Sequence, residues 1–207
     1  MHHFWDERYQ QEGVYGKDPN PFWVRELDRI SPDALNHRLL LPCEGEGRNA
    51  LWAARNGWTV EAFDGSAVAT ATCLRWAKEA GVEVHAQHTD AFEFEADESG
   101  YSVIGLFYAH MPSNLRMQFH ERVTHWLCPG GRLILEGFGV QQLGLLSGGP
   151  RDKSMLFTPE MLRSDFASLE VIKNETASVV LDEGPYHQGL GHVVQFIAQK
   201  PDQCVTP

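Results

Sequence analysis

The sequence has few of the residues that build metal sites and disulfide frameworks. Its 207 residues include only four cysteines, Cys43, Cys73, Cys128 and Cys204. No two of them have CxxC spacing, and no neighbouring histidine completes a tetrahedral zinc set. Paired-carboxylate motifs that hold magnesium or calcium are also missing. We therefore expect reduced thiols and no bound metal.

Positive charge and long apolar runs are scarce as well. The chain has 17 Lys and Arg against 28 Asp and Glu, for a formal charge of −11, and its basic residues form no run. Such a chain repels a phosphate backbone, so we expect no nucleic-acid partner and favour a small-molecule substrate. No apolar run approaches the roughly 18 residues of a membrane span, and the N-terminus lacks the pattern of a signal peptide. These absences predict a cytoplasmic protein without a membrane partner, either a monomer or a homodimer.

The length and a hydrophobic content of 43% suit one compact domain. Residues 1–36 contain two short amphipathic stretches around a turn-rich segment, GVYGKDPNP, and are predicted to form a helical lid. From His37 onward strand and helix patterns alternate, which predicts a doubly wound α/β domain over residues 37–200. Residues 201–207 are predicted to be a flexible tail.

The strand pattern predicts a seven-stranded sheet. Five strands alternate with helical segments and are expected to run parallel, with helices on both faces. The last two strands, LEVIKNETASVVLD and GLGHVVQFIAQK, follow each other across EGPYHQ and are expected to pair antiparallel. The expected architecture is therefore a mostly parallel, Rossmann-like sheet with an antiparallel C-terminal strand pair.

Open parallel sheets bind ligands beyond the carboxyl ends of their strands. The first such end leads into the turn CEGEG, where Gly45 and Gly47 permit a sharp bend and a close approach of backbone to ligand. Asp64 ends the second strand, where a carboxylate accepts hydrogen bonds from ribose hydroxyls. The alternative for each is a tight turn or a solvated acid without a ligand.

The third strand end repeats this pattern. Asp90 closes the strand, and the adjacent Ala91 and Phe92 offer an amide and an apolar wall for an adenine ring. Three consecutive strand ends thus carry groups suited to a nucleoside cofactor.

These motifs resemble a known family. The segments LLLPCEGEGRNALWAA, VEAFDGS, HTDAF and YSVIGLFYAHMP look like the successive cofactor motifs of class I S-adenosylmethionine-dependent methyltransferases, over residues 39–138. The segment FWDERYQQEGVYGKDPNPFW and the EGRN turn resemble the tellurite-resistance type of small methyltransferase, a group related to thiopurine S-methyltransferases. The resemblance implies S-adenosylmethionine as cofactor and a small acceptor, such as a thiol or a tellurium or selenium oxyanion.

The resemblance also implies roles for individual residues. The methionine part of the cofactor would be surrounded by Gly45, Glu46, Gly47 and Asn49, the ribose held by Asp64 with Gly65 and Ser66 at its edge, and the adenine held by Asp90, Ala91 and Phe92. Tyr108 and His110 would lie near the methyl group, and Tyr15 and Gly16 would close the lid over it.

The chain departs from the family pattern at two positions. Leu41 stands where an acidic residue is common, and Cys43 where a glycine is common. Glu44 is expected to replace the acidic residue by binding the methionine amino group. The D/N-P-P-Y/F signature of enzymes that methylate base or glutamine nitrogens is missing, which argues against those substrates.

Methyl transfer is an in-line displacement, for which alignment at about 3 to 3.5 Å matters more than a strong base. If the nucleophile arrives protonated, His187 in the EGPYHQG turn is the expected proton acceptor, and a structural histidine is the alternative. His110 is a second candidate, with a packed helix-cap role as its alternative. Arg151 and Lys153, on the glycine-rich loop after the fifth strand, would bind an anionic acceptor or else be solvated charges.

Two other functions are compatible with the sequence. GEGRNA also satisfies the G-x-G-x-x-A pattern of an NAD(P)-binding oxidoreductase. The short chain, the three cofactor-like strand ends and the C-terminal hairpin count against that assignment. The second alternative is a non-catalytic S-adenosylmethionine-binding protein, supported only by the changes at Leu41 and Cys43.

Overall fold

The computed structural model describes residues 2–31, 36–97 and 100–202. The strands are β1 (Arg38–Pro42), β2 (Thr59–Asp64), β3 (His85–His88), β4 (Tyr101–Phe107), β5 (Leu127–Phe138), β6 (Glu170–Asp182) and β7 (Gln188–Gln199). They form one sheet in the order β3-β2-β1-β4-β5-β7-β6. Strands β1 to β5 pair in parallel, while β7 runs antiparallel to both β5 and β6. The predicted seven-stranded sheet with an antiparallel C-terminal pair is confirmed.

The helices are α1 (His2–Arg8), α2 (Pro21–Leu27), α3 (Arg48–Arg55), α4 (Ala67–Ala80), α5 (Ser113–Trp126) and α6 (Pro159–Asp165). The sequence-based prediction lacks α6. Its start signals are nevertheless present, because the Thr158 side chain accepts a hydrogen bond from the backbone of Met161 and Pro159 lies in the first turn. Within the described residues, no helix is both long and apolar enough to span a membrane.

The sheet is covered by helices on both faces. Side chains of β1 alternate between the faces, with Leu40 in one core cluster and Leu39 and Leu41 in the other. Helices α5 and α6 pack on the Leu40 face, through residues such as Phe119. Helices α2, α3 and α4 pack on the opposite face, where Trp23 of α2 is fully buried.

The N-terminal segment lies over the carboxyl edge of the sheet. The backbone N–H of Gly13 donates to both carboxylate oxygens of Glu46, at 2.9 and 3.1 Å, in the turn after β1. The Ser66 hydroxyl, just after β2, donates to Asp6 of α1 at 2.6 Å. These contacts support a lid, although its limits at residues 1–36 remain a prediction. Most of the expected tail, residues 203–207, lies outside the described residues.

Candidate functional site

The turn after β1 requires glycine at both predicted positions. Gly45 has φ of 66° and Gly47 has φ of 91°, in the left-handed region. A Cβ on Gly45 would lie 2.5 Å from the Tyr9 hydroxyl oxygen, and one on Gly47 would collide with the Cys73 sulfur. Cys43 also has a positive φ, 56°, although it is not glycine. The backbone therefore keeps the bend that glycine would favour at this position.

Glu44 occupies the N-terminus of α3. Its Oε1 accepts hydrogen bonds from the backbone of Asn49 at 2.7 Å and Ala50 at 2.9 Å, and its Oε2 accepts from the Asn49 side chain at 3.2 Å. Burial raises the pKa of Glu44 to about 7, although these hydrogen bonds favour the ionised form. The side chain that was expected to bind the methionine amino group thus caps a helix that begins at the glycine turn.

Asp64 joins the ends of β1 and β2. One carboxylate oxygen accepts from the Gly45 N–H at 2.9 Å, and the other accepts from the Ser66 N–H at 2.8 Å. The side chain is buried, and burial raises its pKa against the effect of these hydrogen bonds. One strand further, the Asp90 carboxylate accepts from the Phe92 N–H at 2.8 Å. The predicted groups at three successive strand ends therefore share the same edge of the sheet.

The turn between β6 and β7 reaches the end of β4. The His187 ring lies 4.6 Å from the Tyr108 ring and 4.7 Å from the Tyr15 ring, centroid to centroid, and 5.2 Å from the Phe138 ring. Tyr108 has φ of 55°, an uncommon conformation for an aromatic residue, which is often found at functional sites. The structure thus brings together three residues predicted from separate segments.

The lid meets the same turn. A Cβ on Gly16 would lie 3.3 Å from backbone atoms of Glu183, so the two backbones are in close contact. Tyr15 also receives a 3.4 Å hydrogen bond from Arg8, and the Arg8 guanidinium lies 3.9 Å from the ring centroid of Tyr186. Tyr15 and Gly16 of the lid therefore lie against the β6–β7 turn.

A buried ionic chain runs from α3 to His187. Arg48 Nη2 lies 3.0 Å from Oε2 of Glu183, and the same oxygen lies 3.1 Å from Nδ1 of His187. Burial alone would raise the pKa of Glu183, but the His187 hydrogen bond and the Arg48 charge lower it. Burial lowers the pKa of His187, against the effect of Glu183. The sequence interpretation missed Arg48 and Glu183. The available signal was their position, since Arg48 directly follows GEG and Glu183 directly precedes GPYH.

Glu136 is another functional candidate that the sequence interpretation missed. Its carboxylate accepts hydrogen bonds from the side chains of Asn20 and Gln195, each at 2.7 Å, and from the Tyr108 hydroxyl at 3.3 Å. Burial raises its pKa against these neutral donors. The available signal was one acid inside the apolar strand RLILEGF, at the carboxyl end of β5.

His110 and Arg151 lie in different surroundings from His187. The His110 Nε2 accepts from the Phe138 N–H at 3.0 Å, and its Nδ1 lies 2.8 Å from the Met155 carbonyl oxygen, to which it donates. Burial lowers the pKa of His110 to about 4. Both nitrogens of this neutral ring are engaged, so the geometry favours the packed role. Arg151 and Lys153 are exposed between β5 and α6, outside the buried cluster.

A family model described as a methyltransferase domain matches residues 41–131. This segment includes the glycine turn, Asp64, Asp90 and Tyr108. No curated protein matches the sequence. The matched segment thus contains the three strand ends described above.

Solved structures share the fold at low sequence identity. A protein studied for the conversion of a disulfide bond into a thioacetal group during echinomycin biosynthesis matches with a TM-score of 0.76 and 15% identity, covering 100% of this chain and 95% of its own. TehB from Haemophilus influenzae matches with a TM-score of 0.69 and 15% identity, covering 96% of this chain and 66% of its own.

A third neighbour carries the product of the cofactor. Magnesium protoporphyrin IX methyltransferase from Synechocystis PCC 6803, with bound S-adenosylhomocysteine, matches with a TM-score of 0.69 and 13% identity, covering 96% of this chain and 98% of its own. The shared architecture shows that the chain has the Rossmann-like fold of class I methyltransferases, and the domain match falls within the first five strands of that fold.

Proposed function

We propose that this protein is an S-adenosylmethionine-dependent methyltransferase, which methylates a small-molecule acceptor at the carboxyl edge of the sheet. The glycine turn, Glu46 and Asn49 would surround the methionine part of S-adenosylmethionine, Asp64 with Gly65 and Ser66 would hold the ribose, and Asp90, Ala91 and Phe92 would hold the adenine. The observation that carries this assignment is the position of Glu44 and Asp64. Asp64 is buried and Glu44 is half-buried at the turn where the cofactor would bind.

The charge of this turn separates the two cofactor classes. In dinucleotide-binding folds a pyrophosphate occupies the N-terminus of the helix after the first strand. Here the Glu44 carboxylate already accepts the hydrogen bonds of that helix end, from Asn49 and Ala50. A phosphate group would find these N–H donors already engaged, whereas the ammonium group of S-adenosylmethionine can donate to an acidic side chain at this turn. The arrangement supports the methyl donor over NAD(P).

The packed rings around His187 support a place for the acceptor. S-adenosylmethionine supplies an electrophilic methyl group when it is bound. The task of the protein is then to align the acceptor and exclude water. Tyr15, Tyr108 and Phe138 surround the His187 ring and form an aromatic wall at this place.

The same surroundings favour a thiol over a tellurium or selenium oxyanion. Glu136 and Glu183 are buried beside the aromatic wall, and the buried Arg48 is already paired with Glu183. An oxyanion would meet two carboxylates, while the exposed Arg151 lies elsewhere. A thiol is neutral until it reacts and is a soft nucleophile toward a sulfonium carbon. Tellurite therefore serves as the comparison acceptor in the test.

Two measurements test this function. Isothermal titration of the full chain should show binding of S-adenosylhomocysteine and no comparable binding of NADH. An acceptor screen that detects release of S-adenosylhomocysteine should then show turnover with small thiols and little with tellurite, selenite or small amines. Preferred binding of NADH would exclude the cofactor assignment. Tight binding of S-adenosylhomocysteine without turnover on any acceptor would favour the non-catalytic alternative.

A further inference from the structure

The ionic chain between α3 and the β6–β7 turn has the arrangement of a positioned base. We propose that Glu183 and Arg48 are positioning residues, which orient His187 so that its Nε2 accepts the proton of the methyl acceptor. This inference rests on the proposed function, since it concerns the nucleophile of the same reaction. Three buried groups carry it, joined at 3.0 and 3.1 Å.

The hydrogen bond from Nδ1 defines which nitrogen is available. Glu183 is ionised and accepts at Nδ1, so the neutral His187 ring carries its proton on Nδ1 and its lone pair on Nε2. Nε2 makes no hydrogen bond to any of the described residues. The Gly148 backbone packs against this edge of the ring, since a Cβ on Gly148 would lie 3.1 Å from Nε2 and 2.6 Å from Cδ2.

Arg48 holds the carboxylate in place. It is the first residue of α3, directly after Gly47, and its guanidinium is buried against Glu183. A carboxylate oxygen that contacts both a guanidinium and a ring N–H has a fixed orientation, because rotation would break both contacts. Arg48 thus fixes the Glu183 carboxylate, and its loss should leave His187 less well oriented.

The reaction balances with His187 as the proton acceptor. The acceptor's lone pair forms the bond to the methyl carbon, and the carbon–sulfur bond breaks with its electron pair remaining on sulfur. The acceptor's proton moves to Nε2 of His187. Glu183 then faces an imidazolium, which it stabilises through the Nδ1 hydrogen bond. Solvent removes the proton afterwards.

Charges from several elements act on the His187 ring. Glu183 favours the protonated ring, whereas Arg8 of α1 and Arg48 of α3 favour the neutral ring. His110, which follows β4, interacts with it repulsively when charged. The phenols of Tyr15 and Tyr108 face it from the lid and from β4, and Glu136 of β5 lies near Glu183. Burial, with a smaller contribution from the two arginines, lowers the pKa of His187 despite Glu183, so the neutral base form is favoured before reaction.

The first test needs no turnover. Long-range ¹H–¹⁵N spectra of the full chain should show a neutral His187 ring protonated at Nδ1, and the E183Q substitution should lower the pH midpoint of His187 by about 1 unit. E175Q is the matched control, since Glu175 is exposed on β6 and paired with Lys173. A parent ring protonated at Nε2, or an unmoved midpoint in E183Q, would overturn the proposal.

The second test uses two thiols of similar size, one ionised at the assay pH and one protonated. H187Q and E183Q should lower kcat/KM about 100-fold for the protonated thiol and less than about threefold for the ionised one. R48Q should follow the same pattern, with H192Q and R55Q as controls. Equal losses on both thiols would indicate a merely structural role. If the parent methylates neither thiol, the proposed acceptor fails, and the spectra still decide the present inference.

Discussion

The side-chain amide of Asn20 donates a 2.7 Å hydrogen bond to the Glu136 carboxylate, although 116 residues separate the two in the sequence. The other end of the Asn20 side chain caps α2, where it accepts from Phe22 and Trp23. Its backbone N–H donates to the Asn49 side chain at 2.9 Å. One residue therefore connects the lid, the helix after the glycine turn and the end of β5.

The first prediction follows from this junction. N20A should lower the free energy of unfolding by about 2 to 4 kcal/mol, because it removes a helix cap and a hydrogen bond to a buried carboxylate. Urea denaturation measures this change. N56A is the control, since Asn56 is exposed at the end of α3 and contacts only the Trp52 carbonyl oxygen through its side chain. A cost below about 1 kcal/mol in N20A would show that the junction contributes little.

The second prediction concerns the proposed ribose contact of Asp64. D64N should weaken S-adenosylhomocysteine binding by about 10- to 100-fold, from the loss of charge-assisted hydrogen bonds. D182N, an exposed change at the end of β6, should leave Kd unchanged. A 2′-deoxyribose analogue separates ligand contact from loop damage in a double-mutant cycle. If D64N weakened the analogue as much as the natural ligand, Asp64 would act only through Gly45 and Ser66.

Much of the fold and the cofactor side of the site was predictable from sequence. Strand periodicity and helix-ending glycines are local signals, and they placed Gly45, Gly47, Asp64 and Asp90 at successive strand ends. The rule that parallel strands end at one edge then implied that these residues lie together. The turn that ends in His187 was also recognised as a site segment, but nothing local showed that it reaches Tyr108.

The charged partners were not predictable, because their meaning depends on long-range contacts. Glu183 resembles any acid in a hairpin turn until the turn meets Arg48 on α3. Glu136 is one acid in an apolar strand, and its partner Asn20 comes from the lid. His110 shows the opposite error, a residue whose catalytic role was predicted but whose contacts are structural. Its ring is held by two backbone groups, those of Phe138 and Met155, and Met155 lies far away in the sequence, in the segment before α6.

The third prediction concerns the left-handed backbone at Cys43. C43G should be more stable than C43A by about 1 kcal/mol, because a positive φ costs a residue with a Cβ about that much. Within a helix alanine is the more stable of the two residues, so A71G, an exposed change within α4, should lower the free energy of unfolding by about 1 kcal/mol. Urea denaturation of the three variants checks both signs. A C43G variant less stable than C43A would mean that the backbone strain at this turn is negligible.

The fourth prediction uses the pH dependence of Glu44. Its pKa of about 7 lies above the ordinary 4.5, so the folded chain keeps a proton that the unfolded chain releases. The resulting stability is fully present below pH 4.5 and is lost as the pH rises through 7, on the order of 3 kcal/mol in all. The parent should therefore lose stability relative to E44Q between pH 5 and 8. E170Q, an exposed change at the start of β6, should show no such drift, and a constant parent–E44Q difference would mean an ordinary pKa.

The last prediction concerns the edge of the His187 ring that packs against Gly148. A Cβ on Gly148 would lie 2.6 Å from Cδ2 of His187 and 2.8 Å from the Tyr186 carbonyl oxygen, so G148A should displace the ring. Gly144 provides the control in the same loop, because its φ is also positive but a Cβ there meets nothing within 4 Å. Both variants should lose roughly 1 kcal/mol of stability from the backbone alone.

Only G148A should impair catalysis. We expect its kcat/KM for a protonated thiol to fall at least about tenfold, because displacement of the ring would move Nε2 out of alignment with the acceptor. Binding of S-adenosylhomocysteine should be unchanged in both variants, since the glycine turn after β1 lies apart from this loop. Urea denaturation, titration calorimetry and initial rates measure the three quantities. If G148A matched G144A in all of them, the acceptor would have to approach from another side of Tyr108.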